Sequence, residues 1–462
     1  MPISGSPGGR RHVRGPGSPL SRTLRNATET ADKLEAIHAQ AGYRCPVVAR
    51  CRKRQAPRVA LGELLRPATI TRMSSLAHEM ASHRRRALQL LPEHYVPDAA
   101  LFAHKAFRSE RGCRTVGTNP LYTAACLIGL AADDSREARH FLAEIVDRSK
   151  AALVRVSMTS EEPALLGATA WALALLEDPR ASDVVERISR LNPRRATSMG
   201  AGLALAGLSH ASVRLPRMRG TARSVARQWA ATLQARFVSR AGLFAGAVPG
   251  NLRADPAHRF VTSFASQVYP VVGMTEHVLA TSTAPPDSIF RAANTVSQAQ
   301  GPLGQWWWMY STRTGHVLEG YPVYVVHQDA MAVMALAGLA RLGDRSNLGA
   351  LESGLQWLNG DNELQGPLVF DDPPWFHRAI QRRRSDADAY GGMSRANHVR
   401  VVLSSAVGSA PRATGKRGRG FEVLTEDRPY HLGWVLLAAH LVRAMQSQGP
   451  AAARPPHAGS AE

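Results

Sequence analysis

QGPLGQWWWMYSTRTGHVLEGYPVYVVHQDAMAVMALAGLARLG, residues 300–343, holds three consecutive tryptophans, a His-Gln-Asp triplet and a long apolar segment. The Gly and Pro residues on both sides of the tryptophans predict tight turns and short strands up to about residue 327. A helix is predicted from near Gln328 to Gly343, a residue suited to the left-handed position after a helix. Because Ala, Met, Val and Leu occupy every face of this helix, it must be buried on all sides.

Five other segments share this apolar composition, and amphipathic segments rich in Arg and Glu separate them. Amphipathic helices keep one face in water, so the alternation predicts an inner ring of buried helices inside an outer ring. Six inner helices favour closure into an all-α, (α/α)6-type toroid over an open superhelix of helical pairs. Residues 67–91 could supply the sixth outer helix. The predicted inner helices are 120–132, 163–177, 197–211, 263–280, 328–343 and 430–445.

Composition also predicts the domain boundaries. Residues 1–60 are rich in Gly, Pro, Ser and Arg without periodicity, which predicts a disordered basic segment or a gene start placed too far upstream. Residues 61–446 form a single toroid domain, and 447–462 a disordered tail. An irregular or β insertion at 371–428 holds the strand-like pieces HVRVVLSS and FEVLTE. Because it precedes the last inner helix, this insertion could cover one mouth of the toroid.

The net charge of +21 does not by itself indicate nucleic acid as a partner. Residues 1–100 hold 17 Lys+Arg against 7 Asp+Glu, and Arg far outnumbers Lys, as GC-rich coding produces. No nucleic-acid-binding motif is present, and aromatic residues are not interleaved with the basic runs. No apolar run reaches the roughly 18 residues of a membrane span, and the N-terminus lacks the apolar core of a secretory signal. A cytoplasmic location is therefore expected.

The sequence predicts no metal and no cofactor. The four cysteines, Cys45, Cys51, Cys113 and Cys126, form no close CxxC pair and have no His at ligand spacing. No HxxxH or HExxH pair, Walker loop or GxGxxG loop occurs. A small molecule or a glycan is the expected partner, and the sequence does not specify an oligomeric state.

The ends of the outer helices share a short pattern, Gln-x3-Gly-x-Trp in its fullest form. Gln300 followed by Gly304-Gln305-Trp306 fits it, and Gln234 with Gly242-Leu243-Phe244, and Gln356-Trp357, are partial copies. The pattern resembles the QW motif of squalene and terpenoid cyclases and the prenyltransferase and squalene-oxidase type repeat. By layout, the chain also resembles (α/α)6 carbohydrate-active enzymes such as six-hairpin glycosidases, polysaccharide lyases and sugar epimerases. The resemblance implies a toroid; the cyclase motif DxDD, the DDxxD motif and the zinc-site residues of protein prenyltransferases are absent.

The candidate catalytic residues lie where predicted inner helices begin. Asp329 stands in the first turn of its helix, where the helix dipole favours a carboxylate, so a capping charge is one interpretation. The other is a general acid whose pKa is raised by burial in a cavity, with His327 as proton shuttle or orienting partner. If all inner helices begin at one rim, Glu162 would converge with Asp329, and the two carboxyl groups could do acid/base work.

Aromatic side chains supply the predicted binding surface. Three adjacent tryptophans cannot all face one way, so at least one is expected to pack against the outer layer. The others would be stacking platforms for sugars, or for carbocations through cation–π attraction. Glu426, Asp427 and Arg428 are expected to form an ion-pair cluster at the rim. The predicted substrate-binding residues are Trp306, Trp307, Trp308, Tyr310, Tyr324, Gln328, Tyr430 and His431.

Three functions are compatible with these features, because a fold alone does not fix chemistry. The leading hypothesis is a carbohydrate-active enzyme, of hydrolase, lyase or epimerase type, with Asp329 as the catalytic acid. A wide polar cleft with two acids would favour it. The alternative is a terpenoid-cyclase- or prenyltransferase-like enzyme, which a pocket lined by aromatics with one deep acid would favour. The third is a non-catalytic binding or scaffold toroid, whose rim acids would all be engaged in structural hydrogen bonds.

Overall fold

The structure, a computed structural model, describes residues 61–110, 112–246, 260–383 and 420–447, with side chains from residue 74 onward. All of these residues except Leu61 belong to one compact unit, Gly62–Glu462. Except for Ser447, which is helical, the predicted disordered ends lie outside the described residues, as does the piece HVRVVLSS, and the domain boundaries stay predictions. Within the described residues, no helix is long and apolar enough to cross a membrane.

Twelve α-helices alternate between two concentric rings in the described chain. Each of the six inner helices packs against its two neighbours in chain order, and the last packs against the first. The prediction of a closed, all-α toroid with six inner helices is therefore confirmed. The inner helices are α2 (Pro120–Ala132), α4 (Pro163–Leu175), α6 (Ser198–Arg214), α8 (Ala265–Thr281), α10 (Ala332–Arg341) and α12 (Pro429–Ser447).

The outer helices bury one face each, as their amphipathic pattern requires. In the third of them, for example, Ala181, Val184, Val185 and Ile188 are buried at a spacing of three to four residues, while the charged side chains face outward. The outer helices are α1 (Leu61–His94), α3 (Arg136–Thr159), α5 (Ala181–Ser189), α7 (Arg219–Gln234), α9 (Asp287–Gln298) and α11 (Leu348–Leu358).

The fifth inner helix begins with a π-helical turn, His327–Met331, that continues into α10. Such turns are rare and are frequent at functional sites. The sequence predicts an ordinary helix from near Gln328, because side-chain patterns do not distinguish a wider turn from an α-helical one. At the other end, Gly343 has φ 95°, so it occupies the left-handed region that the sequence predicts for it.

Glycine pairs bring three neighbouring pairs of inner helices into backbone contact. A Cβ atom on Gly202 of α6 would lie 2.3 Å from the carbonyl carbon and oxygen of Tyr269 in α8, and one on Gly129 of α2 only 2.1 Å from the carbonyl oxygen of Gly433 in α12. No side chain larger than hydrogen fits at either position without movement of the backbone. The backbones of these inner helices therefore touch where they cross.

Short antiparallel strands fill four of the six connections that lead from outer to inner helices, whereas the α3–α4 and α5–α6 connections contain none. All of these connections meet at the end of the toroid where the inner helices begin, whereas the inner-to-outer connections are short. The sheets are β1 (Tyr95–Val96), β2 (Leu101–Ser109) and β3 (Gly112–Thr118); β4 (Phe237–Val238) and β5 (Leu243–Phe244); β6 (Val261–Ser263), β7 (Met309–Ser311) and β8 (Val317–Glu319); β13 (Phe421–Leu424), β12 (Ala379–Arg382) and β9 (Val323–Tyr324); and β10 (Val369–Asp371) with β11 (Pro374–Phe376).

The β structure is more widespread than the sequence predicts. The insertion does contain strands, and β13 is the predicted piece FEVLTE. Strands β7, β8 and β9 lie in the stretch before residue 327 where short strands are predicted, but the sheets β1–β2–β3 and β4–β5 match no predicted strand. Strand β12 pairs with both β13 and β9, so Ala379 lies opposite Leu424 on one side and Tyr324 on the other. The insertion is thereby hydrogen-bonded to the aromatic stretch 300–343.

The QW-like repeat holds two outer helices together. The side-chain amide of Gln300, just after α9, donates to the carbonyl oxygens of Gly304 at 2.9 Å and of Ala350 at 2.8 Å. Gly304 has φ 93° and contacts the backbone of Ser353 in α11, which excludes a side chain at that position. The motif therefore has a structural role.

Candidate functional site

A cavity of about 400 Å³ lies at the end of the toroid where the inner helices begin. Twelve of its fifteen lining residues are aliphatic or aromatic; the other three are Asn119, His327 and Arg378. No carboxylate is among these lining residues, which all come from the described part of the chain. The aliphatic ones are Leu121, Ala125, Met199, Leu203, Ala265 and Met331.

Tyrosine and tryptophan rings form the rest of the wall. The rings of Tyr122 and Tyr430 lie 4.5 Å apart between centroids, and the indole N–H of Trp434 donates to the hydroxyl of Tyr269 at 2.9 Å. Burial raises the pKa of Tyr269 and of Tyr430, so both hydroxyls are neutral. The wall thus offers aromatic faces and a few uncharged hydroxyl groups.

His327 contributes an imidazole to this wall. Its Nδ1 lies 3.5 Å from the carbonyl oxygen of Trp306, and its ring packs against Phe264 and Tyr324. Burial lowers the pKa of His327 to about 3, so the ring is neutral at physiological pH. Because a carbonyl oxygen can only accept, the ring hydrogen is on Nδ1 and Nε2 is an acceptor.

Asp329 is fully buried and does not line the cavity. Its two carboxylate oxygens accept hydrogen bonds from His83 of α1, at 3.0 Å, and from His431 of α12, at 2.7 Å. The ring of Phe376 packs edge-on against both imidazoles. The predicted partner His327 faces the cavity instead, because residues two apart point to different sides of the turn.

The pKa of Asp329 is lowered, and the prediction of a raised pKa is wrong. Burial alone would raise it, but the charge and hydrogen bond of His431 and the hydrogen bond of His83 outweigh burial and lower the pKa to about 2. The carboxyl group is therefore ionised at neutral pH. Its role as a catalytic acid stays a prediction, and its present contacts are those of a structural ion pair.

Glu162 lies at the same rim but is exposed and does not line the cavity. Its carboxylate accepts a hydrogen bond from the backbone N–H of Leu165 and so caps α4. The predicted convergence of Glu162 and Asp329 on one cavity is not found, because one side chain folds back over its own helix and the other faces α1 and α12.

The predicted aromatic platform divides between the core and the cavity. Trp306 and Trp307 are buried, against Phe264 and Tyr321 respectively, and only Trp308 of the three tryptophans reaches the cavity. Tyr324 and Tyr430 also line it, as the sequence predicts. The other predicted binding residues lie behind the wall: Tyr310 is fully buried, Gln328 hydrogen-bonds the backbone of Tyr324 and Trp306, and His431 faces Asp329.

A charged cluster at the mouth of the cavity supplies a residue that the sequence analysis did not single out. The guanidinium of Arg378, which precedes β12, forms an ion pair with Glu426 and lies over the ring of Tyr324, 5.4 Å from its centroid. Arg428 donates to the same carboxylate at 2.7 Å, so Glu426 and Arg428 form the expected ion pair, whereas the carboxylate of Asp427 lies 3.2 Å from Nε2 of His94. Arg378 follows an aromatic and a His in DDPPWFHRAIQ, but its position depends on strand pairing that no sequence pattern reveals.

In the residues that the structure describes, no group of three or more His, Cys, Asp or Glu side chains could hold a metal ion. Cys113 and Cys126 are both free thiols, and burial raises the pKa of each. The described part of the chain thus places no nucleophilic thiolate near the cavity.

No family model matches the sequence, and no curated protein matches it significantly. Among solved structures, the chain is similar to a mutant of an unsaturated glucuronyl hydrolase from Streptococcus agalactiae, with a TM-score of 0.50 and 10% identity over 80% of this chain and 92% of that one. A possible GH105 family member from Salmonella enterica gives 0.49 and 11%, covering 88% of this chain and 100% of its own. A type II terpene cyclase from Scytonema gives 0.44 and 11%, covering 81% and 99%. At 10% identity the likeness to the glucuronyl hydrolase is one of fold, and it agrees with the closed α/α toroid described above.

Proposed function

We propose that the cavity binds a largely apolar ligand of isoprenoid type. The observation that carries the proposal is the lining, in which aliphatic and aromatic residues supply twelve positions of fifteen. Each buried CH₂ group gains about 0.8 kcal/mol on leaving water, so a branched chain of about 15 to 20 carbons gains enough to offset the cost of association. The volume of about 400 Å³ is within the usual range for small-molecule sites.

The same wall suits the cation chemistry of a terpenoid-cyclase-like enzyme, the alternative of the sequence analysis. Aromatic faces such as those of Trp308, Tyr324 and Trp434 attract carbocations. A neutral imidazole of low pKa, His327, accepts a proton only from a very acidic group, and a C–H bond beside a carbocation is one. The described residues supply the wall and this base; we assign no acid that would begin such a reaction.

The second candidate is the leading hypothesis of the sequence analysis, a glycan-processing enzyme with Asp329, His327 and Glu162 as acid/base residues. The hydroxyls of Tyr122, Tyr324 and Tyr430 favour it, because they could pair with sugar hydroxyls while the rings stack on the sugar. It is less well supported, since each unpaired sugar hydroxyl would cost about 1–3 kcal/mol in this lining and neither carboxylate lines the cavity.

Binding measurements on the whole chain distinguish these candidates. We would titrate the protein by calorimetry with geranylgeraniol and with neutral and uronate disaccharides, and repeat each titration with Ala265→Trp, which fills the cavity from the first residue of α8. Ala231→Trp places the same ring on the exposed face of α7 and is the matched control. We expect geranylgeraniol to bind, Ala265→Trp to weaken it by at least about tenfold, and Ala231→Trp to leave it unchanged.

Two results would replace this proposal. Binding of a disaccharide, but not of geranylgeraniol, with the same sensitivity to Ala265→Trp would establish the glycan candidate. A failure of every ligand to bind would favour the third hypothesis, a scaffold toroid, for which Asp329 and Glu426 already show acids engaged in internal ion pairs.

A further inference from the structure

We infer that the polar end of the ligand is an anion, a carboxylate or a phosphate monoester, and that Arg378 binds it. This inference rests on the proposed function, because it concerns the head of the same apolar ligand. Arg378 is the only formally charged side chain among the lining residues in the described part of the chain.

The backbone holds Arg378 firmly at the mouth of the cavity. Its N–H donates to the carbonyl oxygen of Leu424 at 2.8 Å, and its carbonyl oxygen accepts from the N–H of Val325 at 2.9 Å. The residue is thus fixed between two strands, and its guanidinium lies against Tyr324, which also lines the cavity. A charge held in this way is oriented before any ligand arrives.

The charges at this mouth are not balanced. The guanidinium groups of Arg378 and Arg428 both pair with the carboxylate of Glu426, and the ammonium of Lys105 lies 3.7 Å from it. Three cations therefore share this carboxylate, and these four groups together carry a net charge of +2. The side chains of Arg428 and Glu426 are 11% and 15% exposed, and those of Arg378 and Lys105 are 25% and 33% exposed, so water screens the excess only in part.

The free hydrogen-bond donor belongs to Arg378. Arg428 directs its Nε and Nη2 to Glu426 and its Nη1 to the ring nitrogen and carbonyl oxygen of His104. Arg378 directs Nη1 to Glu426, but its Nε is buried and has no hydrogen-bond partner among the described residues. Water does not reach this N–H in the present side-chain position. A ligand acceptor that reached it after a small movement of the guanidinium would recover the free energy that an unpaired buried N–H costs.

An anion meets both requirements at once. Carboxylate and phosphate oxygens accept from guanidinium groups with short, charge-assisted bonds, and they compensate the excess positive charge. A neutral hydroxyl would fill the donor site but leave the charge uncompensated beside an aromatic wall. The apolar chain would then extend from Arg378 along Tyr324 and Trp308 toward Trp434.

Three probes with the same apolar chain test the inference: geranylgeraniol, the corresponding carboxylic acid and the corresponding monophosphate. We expect both anions, or one of them, to bind the wild-type protein at least about tenfold more tightly than the alcohol, as a charge-assisted hydrogen bond implies. The tighter of the two identifies the head group as carboxylate or phosphate.

Variants locate the anion site. Arg378→Gln should weaken binding of the preferred anion by about 10- to 100-fold and change binding of the alcohol by less than about twofold. Arg382→Gln removes an exposed charge from the end of β12, the strand that follows Arg378. Arg382 is outside the cavity lining, so this substitution should change neither. Arg378→Lys keeps the charge but lacks the Nε–H, so we expect an intermediate loss; it serves if Arg378→Gln does not fold.

The outcomes separate the two proposals. If the alcohol binds as tightly as both anions, or if Arg378→Gln weakens all three probes equally, the anion inference is wrong and the isoprenoid proposal stands. If no probe binds, the isoprenoid proposal fails first. If Arg382→Gln weakens anion binding as much as Arg378→Gln, the effect comes from the general charge of the surface, and Arg378 is not the site.

Discussion

Asp329 joins three distant parts of the chain through one buried carboxylate. Its partners His83 and His431 lie 246 and 102 residues away in the sequence, on α1 and α12, and each side chain of the three is almost completely buried. A buried carboxylate without partners would be costly, so the histidines and the acid depend on one another. This centre fixes α1 to the inner ring.

Asp329→Asn should therefore destabilise the protein by about 3 kcal/mol, because it leaves His431 buried without its counter-ion. Chemical unfolding of the variant and of the wild type measures this difference. Asp361→Asn removes an exposed carboxylate and is the control, with an expected change within about 0.5 kcal/mol. Equal, small effects of the two substitutions would mean that the Asp329 centre contributes little to stability.

The pH dependence of this stabilisation follows from the two pKa shifts. Asp329 has its pKa lowered to about 2 in the folded state, so its contribution is complete above about pH 4 and is lost as the pH falls toward 2. The pKa of His431 is raised, because the attraction of Asp329 exceeds the opposing effect of burial. Its contribution is complete below about pH 6.5 and is lost as the pH rises through the higher folded value. The difference in Tm between wild type and Asp329→Asn should be largest near about pH 5; a difference independent of pH would contradict this.

The sequence predicts the place of Asp329 and His327 but not their contacts. Both positions at the start of the fifth inner helix are as predicted, because helix beginnings leave clear composition signals. Which side of the turn each residue faces depends on the π-helical turn and on partners far along the chain. Arg378 is missed for a similar reason: only the pairing of β12 with β9 brings it to the cavity.

Helix packing in the inner ring depends on glycines at defined crossing points. Gly202 illustrates this, because the carbonyl group of Tyr269, a residue of the cavity wall, occupies the space that its Cβ would need. Gly338, in α10, has room: a Cβ there would meet only the methyl group of Thr275 at 3.5 Å, an ordinary contact. A methyl side chain is thus excluded at Gly202 and accommodated at Gly338.

Gly202→Ala should destabilise the protein by roughly 1–3 kcal/mol or more through overpacking, and Gly338→Ala should stabilise it by up to about 1 kcal/mol, since alanine favours helix. Both substitutions replace glycine by alanine, so a difference in thermal unfolding between the two variants reflects only the two positions. Because Gly202→Ala displaces Tyr269, it should also weaken ligand binding. A neutral effect of Gly202→Ala would show that α6 and α8 can separate without cost.

At this scale the sequence is most informative. Alternation of apolar and amphipathic segments predicts the number, order and approximate ends of the inner helices, since burial on all sides requires an apolar surface on all sides. The strands of the connections are less predictable, as segments of two to four residues carry little periodicity. The single glycines are visible in the sequence, but which of them pair depends on which helices become neighbours in the ring.

Closure of the ring makes the toroid different from an open array of helical pairs. In an open array each pair contacts only its neighbours, so damage at one end stays local. Here α12 packs against α2 through Gly433 and Gly129, and the thiol of Cys126 donates to the carbonyl oxygen of Pro429 at 3.1 Å. This seam joins the two ends of the inner ring. Arg84 of α1 forms an ion pair with Asp133, the residue that follows α2, and so attaches α1 to the seam.

Gly433→Ala tests whether the ring is one cooperative unit. A Cβ at this position would lie 2.5 Å from the carbonyl oxygen of Ala125, so the seam must open. In a closed ring every inner helix relies on closure, and backbone hydrogen exchange should accelerate in α6 and α8, opposite the seam, as well as in α2 and α12. Gly338→Ala, outside the seam, should leave exchange in α6 and α8 unchanged. If faster exchange in Gly433→Ala is confined to α2 and α12, the inner ring behaves as a linear array despite its closed geometry.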